Sequence, residues 1–289
     1  MQPVILLGMH RSGTSAVARA LDRMGLFVGD DLQDDHESRL FIALNEHVFA
    51  QAGASWDQPR AVARLLDDAD ACARLAGRLR GALNQQAAGR FLGRGHGWVD
   101  LTARPWGWKD PRNTFTLPVW LTLWPRATVL HVTRNGVDVA GSLKTRHAQV
   151  VRRYRDHHGT PPPAPVFHLG RVPFTHRSAE LAGGLALWRE HLANVARLRR
   201  KHGVQVAEVA YEDLIERPRE VLPRLADVAG LQPSPEQRDA AAALFAGARA
   251  VRFPDDPDLR AFASSLRPAD LPGYARRVAG CLERSGAMG

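Results

Sequence analysis

The stretch Val4-Ile-Leu-Leu-Gly-Met-His-Arg-Ser-Gly-Thr-Ser-Ala-Val-Ala-Arg-Ala-Leu21 decides the fold of this chain. It predicts a short buried strand from Val4 to Leu7, a tight loop from Gly8 to Gly13, and then a helix. Where a glycine-containing loop leads from a strand into a helix, converging backbone N–H groups and the helix dipole form an anion site. The stretch therefore predicts an α/β protein that binds a phosphate group at this loop.

The residue that follows the loop restricts which phosphate it can bind. The spacing of Gly8 and Gly13 is that of the nucleotide-triphosphate P-loop, in which the next residue is a lysine that contacts the outer phosphates. This chain has Thr14 and then Ser15 instead, and its positive charge lies inside the loop at Arg11. The loop thus favours a phosphate group that does not belong to a magnesium-bound triphosphate. A strand–loop–helix turn without any ligand is the alternative.

Length and composition indicate a globular protein. The chain has 289 residues, of which 45% are hydrophobic and 24% charged, values typical of soluble domains. No apolar run approaches the roughly 18 residues of a membrane span, and no basic segment precedes an apolar stretch at the N-terminus. Two cysteines are too few for a disulfide framework. We therefore expect a cytoplasmic protein with no stable membrane insertion and no signal peptide.

The charge balance suggests an anionic ligand, nucleic acid or an acidic surface, because the net charge is +9. Only three of the 39 basic residues are lysines, Lys109, Lys144 and Lys201, and we attribute part of the arginine excess to genomic composition. A nucleic-acid-binding protein would present a basic face with stacking aromatic rings. The arginines here are dispersed through amphipathic helices, so we expect no nucleic-acid partner. The sequence contains no indication of oligomeric state.

A second motif, Trp106-Gly-Trp-Lys-Asp-Pro-Arg112, predicts a short strand that ends near Lys109. Asp-Pro stops regular structure. In an open α/β sheet, ligands bind at the carboxyl ends of the strands, so we expect Lys109 and Arg112 to face the same crevice as Arg11. The alternative is a surface lysine beside a stacked tryptophan.

Polar residues also follow two later strands. Residues 127–133 form the clearest predicted strand, and Arg134 follows it, with Ser142 eight residues later in the next helix. Arginine gives forked, charge-assisted contacts to a tetrahedral anion, and a serine on the second helical turn can donate toward the strand end. Residues 204–210 predict another strand, which leads into Tyr211-Glu-Asp-Leu.

Together these motifs resemble the sulfotransferases that use 3′-phosphoadenosine 5′-phosphosulfate (PAPS). Residues 11–15, Arg-Ser-Gly-Thr-Ser, are similar to the 5′-phosphosulfate loop of that family, and residues 134–143 to its 3′-phosphate signature. Residues 109–111, Lys-Asp-Pro, resemble the bacterial and tyrosylprotein branches. Tyr-Glu-Asp-Leu after a strand is similar to a further landmark of the family. Four landmarks in the family's order are hard to attribute to chance.

The resemblance implies a fold and a donor site. The expected fold is a P-loop-type parallel β-sheet flanked by helices, in a single three-layer domain over residues 1–289. The expected sulfuryl donor is PAPS, used without a metal, and the expected acceptor is a hydroxyl of a carbohydrate or other small alcohol. The residues expected to bind the donor are Arg11, Ser12, Gly13, Thr14, Ser15, Arg134, Ser142 and Tyr211.

The chemistry of transfer assigns roles to four residues. The protein must neutralise charge on the leaving phosphate and take a proton from the hydroxyl. Arg11 and Lys109 suit the first task. For the second we expect Glu37, because the segment 37–56 resembles the bacterial branch, where a glutamate precedes an Ala-Leu-Asn helix. His10, beside the expected sulfuryl position, is the second candidate.

Four further features bear on these expectations. Pro111 occupies the place of the histidine base of the cytosolic branch, and the Arg-Lys-Gly of that branch is not found in residues 250–289. The other carboxylates of the acidic loop, residues 26–37, remain alternative candidates for the base. Residues 146–177, rich in arginine, histidine and proline, predict a mobile lid or insertion.

Two features weigh against other reactions. A P-loop kinase is the alternative enzyme, but it needs the Walker lysine at the position of Thr14 and a carboxylate for magnesium. The twelve histidines show no ligand spacing, so we expect no metal site.

Overall fold

The computed structural model describes residues 2–83, 88–93, 97–169, 172–248, 250–274, 277–279 and 281. The strands in these ranges are β1 (Val4–Gly8), β2 (Gly107–Lys109), β3 (Thr128–Thr133), β4 (Val166–Leu169), β5 (Val172–Thr175) and β6 (Ala207–Ala210). The helices are α1 (Thr14–Arg23), α2 (Arg39–Gln51), α3 (Arg60–Leu66), α4 (Ala69–Leu83), α5 (Ala88–Leu92), α6 (Asn113–Leu123), α7 (Gly136–His158), α8 (Leu181–His202), α9 (Tyr211–Glu216), α10 (Pro218–Val228), α11 (Pro235–Ala242) and α12 (Pro257–Ser264).

Four strands form a parallel sheet in the order β2-β1-β3-β6. β1 pairs with β3 so that Gly8 lies opposite Val132, and β3 pairs with β6 so that Thr133 lies opposite Ala210. Because the strands are parallel, their carboxyl ends meet at one edge of the sheet. The residues at or directly after those ends are Gly8, Lys109, Arg134 and Tyr211.

Helices cover both faces of this sheet. Val4 and Leu6 of β1 pack with residues of α1, α10 and α11, whereas Ile5 and Leu7 pack with residues of α2, α4, α6 and α8. This division follows from the strand period, since successive side chains point to opposite faces. All four of these β1 residues are buried. The prediction of an α/β fold with a parallel sheet flanked by helices is therefore confirmed.

Residues 146–177 contain more regular structure than their composition predicted. Within this segment α7 continues to His158, and β4 and β5 then form an antiparallel hairpin. The helix continues because Leu143, Val150 and Tyr154 recur at helical spacing, and the Tyr154 ring packs 5.5 Å from that of Phe167. The lid function of the segment stays a prediction, and residues 170 and 171 lie outside the described ranges.

In the ranges given above, no helix has both the length and the apolar character needed to cross a bilayer.

Candidate functional site

The loop from Gly8 to Gly13, called the glycine loop below, turns the chain from β1 into α1. Its Arg11 has a left-handed φ of 71°, and Gly13 has a φ of 92°, a conformation that glycine adopts without steric cost. A Cβ atom on Gly13 would lie 2.2 Å from Cδ2 of Tyr211, so the Tyr211 ring can pack here only against glycine. No side chain caps the N-terminus of α1. Its first N–H groups are thus suited to an anion.

Ser12 fixes the shape of the glycine loop. Its hydroxyl donates to the carbonyl oxygen of Met9 at 2.6 Å, and its backbone N–H donates to the same oxygen at 3.1 Å. The side chain is buried. Both donors of Ser12 are therefore engaged within the protein, and its expected contact with a donor molecule stays a prediction.

Four of the expected site residues, Arg11, Arg134, Ser142 and Tyr211, lie together and are called the arginine pocket. Nε of Arg11 donates to Oγ of Ser142 at 2.8 Å, and Nη1 of Arg134 donates to the carbonyl oxygen of Arg11 at 3.2 Å. The guanidinium carbon of Arg134 lies 4.8 Å from the centroid of the Tyr211 ring. Nε of Arg134 is buried without a hydrogen-bond partner. Nη2 of the same guanidinium lies 3.9 Å from Oδ2 of Asp138, so Nε is the Arg134 donor that an anion could engage.

Two other elements hold Arg134 in position. The N–H of the next residue, Asn135, donates to Oε1 of Glu212 at 2.6 Å, and the Asn135 side chain caps α7 by accepting from the N–H of Val137 at 2.8 Å. Nε1 of Trp188 donates to the carbonyl oxygen of Arg134 at 3.0 Å. Burial raises the pKa of Glu212, against the effect of its bond from Asn135. In the sequence, Glu212 is visible only as part of the Tyr-Glu-Asp-Leu landmark.

Lys109 and Glu37 form an ion pair at the other side of the glycine loop. Nζ of Lys109 donates to Oε1 of Glu37 at 2.7 Å and to the carbonyl oxygen of Asp35 at 3.0 Å. Lys109 is 3% exposed and Glu37 is 9% exposed, so Lys109 is not a surface lysine. Burial raises the pKa of Glu37, although the charge of Lys109 opposes the shift.

Glu37 differs from the other carboxylates of the acidic loop. Asp30, Asp34 and Asp35 are exposed, and Oδ2 of Asp31 accepts the N–H of Leu40 at 2.7 Å. Among the acidic residues between positions 26 and 37, all of which the structure describes, Glu37 alone is buried. Burial therefore distinguishes Glu37 from the other carboxylates of the loop, which the loop sequence alone does not do.

A buried polar network supports the strand end that carries Lys109. Nδ2 of Asn45 donates to Oδ2 of Asp110 at 2.8 Å and to Oδ1 of Asn113 at 2.9 Å. Oδ1 of Asn45 accepts from Oγ1 of Thr116 at 2.7 Å and from Nε1 of Trp120 at 2.9 Å. Asn45, Asp110 and Asn113 have no exposed surface. One side chain of α2 thus ties the residues after Lys109 to α6.

We expect Asn45→Ala to lower the free energy of unfolding by roughly 3 kcal/mol or more. The substitution leaves Asp110, Thr116 and Trp120 buried with a lost partner, and each such group costs about 1–3 kcal/mol. Urea denaturation measures the change. Gln51→Ala, at an exposed position of the same helix, is the control and should change stability by less than about 0.5 kcal/mol. Equal effects of the two substitutions would contradict the supporting role of the network.

His10 faces a second group of residues at the mouth of the site. Its ring centroid lies 4.9 Å from that of Trp56, and the guanidinium carbon of Arg146 lies 4.7 Å from the same indole. Burial, followed by the charges of Arg146 and Arg112, lowers the pKa of His10 well below 6.5. The imidazole is therefore neutral near pH 7. Trp56 and Arg146 were not predicted as site residues, and the only signal for Arg146 was its spacing four residues after Ser142.

Residues 3–235 match a model of the sulfotransferase family. This chain belongs to the sulfotransferase family. The match includes the glycine loop, the Lys109–Glu37 ion pair and the arginine pocket. No curated protein matches the sequence.

Solved structures share the fold of this sulfotransferase family member. The crystal structure of sulfotransferase STF9 from Mycobacterium avium is 16% identical and has a TM-score of 0.51, covering 87% of this chain and 69% of the other. The sulfotransferase domain of the Synechococcus PCC 7002 olefin synthase is 18% identical with a TM-score of 0.46, covering 97% of this chain and 94% of that domain. At these identities the likeness concerns the fold alone. The statement that the fold is shared rests on the Mycobacterium avium structure.

The family assignment confirms the resemblance and sulfuryl transfer in general. The narrower likeness of residues 109–111 to the tyrosylprotein branch stays a prediction. Within the residues that the structure describes, no group of three or more His, Cys, Asp or Glu side chains is placed to hold a metal ion. That this sulfotransferase works without a metal likewise stays a prediction.

Proposed function

We propose that the protein transfers the sulfuryl group of PAPS to a hydroxyl group of an acceptor. The observation that carries this proposal is the arginine pocket, in which Nε of Arg134 is buried without a partner and Arg11 contacts both Arg134 and Ser142. An anion that accepts from Arg134 and Ser142 would give Nε of Arg134 the hydrogen-bond partner that it lacks. We assign the 3′-phosphate of PAPS to this pocket.

A second anion site adjoins the pocket and suits the 5′-phosphosulfate. It consists of the glycine loop and the uncapped N-terminus of α1. Arg11 joins the two sites, because its backbone is part of the loop while its side chain donates to Ser142. The Tyr211 ring packs against both Gly13 and Arg134. A nucleotide with anionic groups on both sides of its ribose fits this arrangement better than one with a single phosphate.

Lys109 and Glu37 suit the two tasks of the transfer step. The hydroxyl oxygen of the acceptor forms a bond to sulfur while the bond from sulfur to the phosphate oxygen breaks, and 3′,5′-bisphosphoadenosine leaves. Lys109 stabilises the charge that develops on the leaving phosphate, and Glu37 takes the proton of the hydroxyl. Burial makes Glu37 a stronger base than an exposed glutamate, whereas the lowered pKa of His10 makes it a weaker one. We assign the base to Glu37 because its carboxylate is held 2.7 Å from Nζ of Lys109.

The acceptor enters, in this proposal, on the side that Trp56, His10 and the β4–β5 hairpin enclose. The Trp56 ring packs 6.1 Å from that of Phe174 in β5. Oδ2 of Asp57 accepts the N–H of Thr175 at 2.9 Å. The segment after α2 and the hairpin are thus joined, and Trp56 of this segment contacts His10. A carbohydrate or other alcohol is the proposed acceptor class.

Nucleotide stabilisation tests the proposed donor. We expect 3′,5′-bisphosphoadenosine to raise the melting temperature of the purified protein far more than AMP does, because only the former has a 3′-phosphate for Arg134 and Ser142. Arg134→Ala should abolish the difference between the two nucleotides. Arg126→Ala, at an exposed position before β3, is the control and should preserve it. Equal shifts from both nucleotides in the wild type would refute the assignment of the arginine pocket.

A further inference from the structure

A cleft of about 650 Å³ lies at the edge of the sheet opposite to the glycine loop. Val129, near the start of β3, is one of its lining residues, whereas Thr133 ends β3 at the edge that carries the glycine loop. At about 3.3 Å per residue, roughly 13 Å of strand separates these two residues. Arg11, Lys109 and Arg134 do not line the cleft. It is therefore a cavity separate from the site of the proposed reaction.

Helix ends from three parts of the chain enclose the cleft. The lining comes from the end of α3 with the start of α4, from the second half of α6 with the turn after it, and from the end of α8 with the turn after it. α8 ends here because Gly203 has a left-handed φ of 60°, which turns the chain out of the helix. Pro125 disfavours the helical conformation of Trp124, where α6 stops. The cleft therefore follows from where α6 and α8 end.

Many of the side chains that line the cleft are apolar. Leu66, Val129 and Leu198 are buried, and Leu121 and Val204 are half-buried. Apolar groups beside an unfilled space lack the dispersion contacts of packed groups, and an apolar ligand that covers them removes their surface from water. A volume of about 650 Å³ lies within the range of roughly 300–1,000 Å³ that small-molecule sites have. The lining therefore suits the apolar part of a small ligand.

The acidic side chain of the lining is already paired. Among the described residues that line the cleft, only Asp67 is acidic, and it contacts two cations of α8. Its Oδ1 accepts from Nη1 of Arg197 at 2.5 Å and from Nζ of Lys201 at 2.7 Å. Two positive charges thus offset one negative charge, so this carboxylate does not favour a cationic ligand.

Arg126 adds a further cation to the lining, and this one has no partner. It is exposed, and its side chain forms neither an ion pair nor a hydrogen bond within the described part of the chain. The helix dipole favours cations in the last turn of α8, which accounts for Lys201 and His202. Arg126 belongs to no helix, because it lies between α6 and β3. Its charge is therefore available to an anion that enters the cleft.

We propose that the cleft binds a medium-chain fatty carboxylate, whose chain contacts Leu121, Val129 and Leu198 and whose carboxylate pairs with Arg126. Such a pair is a charge-assisted contact. One unpartnered arginine suits a monoanion, whereas a polyanion needs several cations, and those of α8 that face Asp67 are engaged. The inference lies beyond the proposed function, since it concerns the opposite edge of the sheet and requires neither PAPS nor an acceptor.

Three related ligands test the proposal by calorimetry. Octanoate has the chain and the charge, octanamide keeps the chain without the charge, and hexanoate keeps the charge with two fewer methylene groups. Octanoate should bind below the concentration at which it forms micelles. Octanamide should bind at least about tenfold more weakly, because it cannot form the ion pair. Hexanoate should bind about tenfold more weakly, because it buries less apolar surface.

Two pairs of variants locate the bound octanoate. Arg126→Glu should weaken binding at least about tenfold, whereas Arg224→Glu, at an exposed position of α10, should leave it unchanged. Ala69→Trp places a large side chain in the lining and should abolish binding, whereas Ala261→Trp, at an exposed position of α12, should preserve it. Ala69 is itself exposed, so we expect its variant to fold, and a cooperative melting curve verifies this.

Three results would overturn the proposal: no binding of octanoate to the wild type, equal affinity for octanoate and either of the other two ligands, or equal affinities of the two variants within either pair. Stabilisation by 3′,5′-bisphosphoadenosine is measured in the same samples and concerns only the donor site. A nucleotide that fails to stabilise the wild type would therefore refute the proposed function, while octanoate binding would still decide the role of the cleft.

Discussion

Lys109→Met is expected to lower turnover by about 10²-fold or more, the range for loss of one donor that stabilises charge in the transition state. Affinity for 3′,5′-bisphosphoadenosine should change far less, because the arginine pocket and the N-terminus of α1 are untouched. Single-turnover transfer from labelled PAPS gives the rate, and calorimetry gives the affinity. The matched control is Lys144→Met, an exposed lysine of α7, which should keep the wild-type rate.

A loss of activity in Lys109→Met could arise from misfolding, because Glu37 would remain buried without its cation. Removing one partner of a buried ion pair is strongly destabilising, whereas replacing both is often close to neutral. The double variant K109M/E37Q should therefore recover stability without recovering turnover. A double variant that is stable and active would return Lys109 to a structural role.

Glu37→Gln is the second substitution with a large expected effect. It should abolish most turnover while leaving nucleotide affinity nearly intact, because the amide keeps the shape of the carboxylate but cannot accept the proton. In the wild type the rate should fall as the pH drops through the pKa of Glu37, since only the carboxylate is a base. Burial raises that pKa above the ordinary 4.5, so the acidic limb should lie above the range of an exposed glutamate. The variant should lack this limb.

Two other variants separate Glu37 from its competitors. Asp35→Asn removes an exposed carboxylate of the same loop and should keep most of the activity. His10→Gln removes the second candidate base, whose pKa is lowered by burial and by Arg146 and Arg112. If Glu37→Gln is fully active while His10→Gln or Asp35→Asn is inactive at unchanged nucleotide affinity, the base has been assigned to the wrong residue.

The sequence predicted the parts of the site that are encoded locally. A strand, a turn and a helix start follow one another within about ten residues, so the glycine loop and the position of Arg134 after β3 were visible without the fold. Parallel pairing then brings the strand ends to one edge. For this reason Lys109 was expected to face the same crevice as Arg11, although the two lie far apart in the chain.

Contacts between distant segments were not predictable in the same way. The bond from Arg11 to Ser142 spans 131 residues, and the bond from Asn45 to Asp110 spans 65. Nothing local in the sequence of α2 shows that Asn45 is buried under the strand end of Lys109. The extension of α7 was missed for another reason, because its apolar positions are separated by arginines and histidines that dominate the composition.

Transfer of label from the donor tests the central claim most directly. The wild-type protein is incubated with a pool of hydroxylated acceptors, neutral and acidic, and with either PAPS labelled in its sulfuryl group or ATP labelled in its γ-phosphate. We expect label from PAPS to appear on an acceptor, to depend on both Lys109 and Arg134, and to be absent when ATP is the donor. Transfer of the γ-phosphate, or equal sulfuryl transfer by wild type, Lys109→Met and Arg134→Ala, would contradict the account.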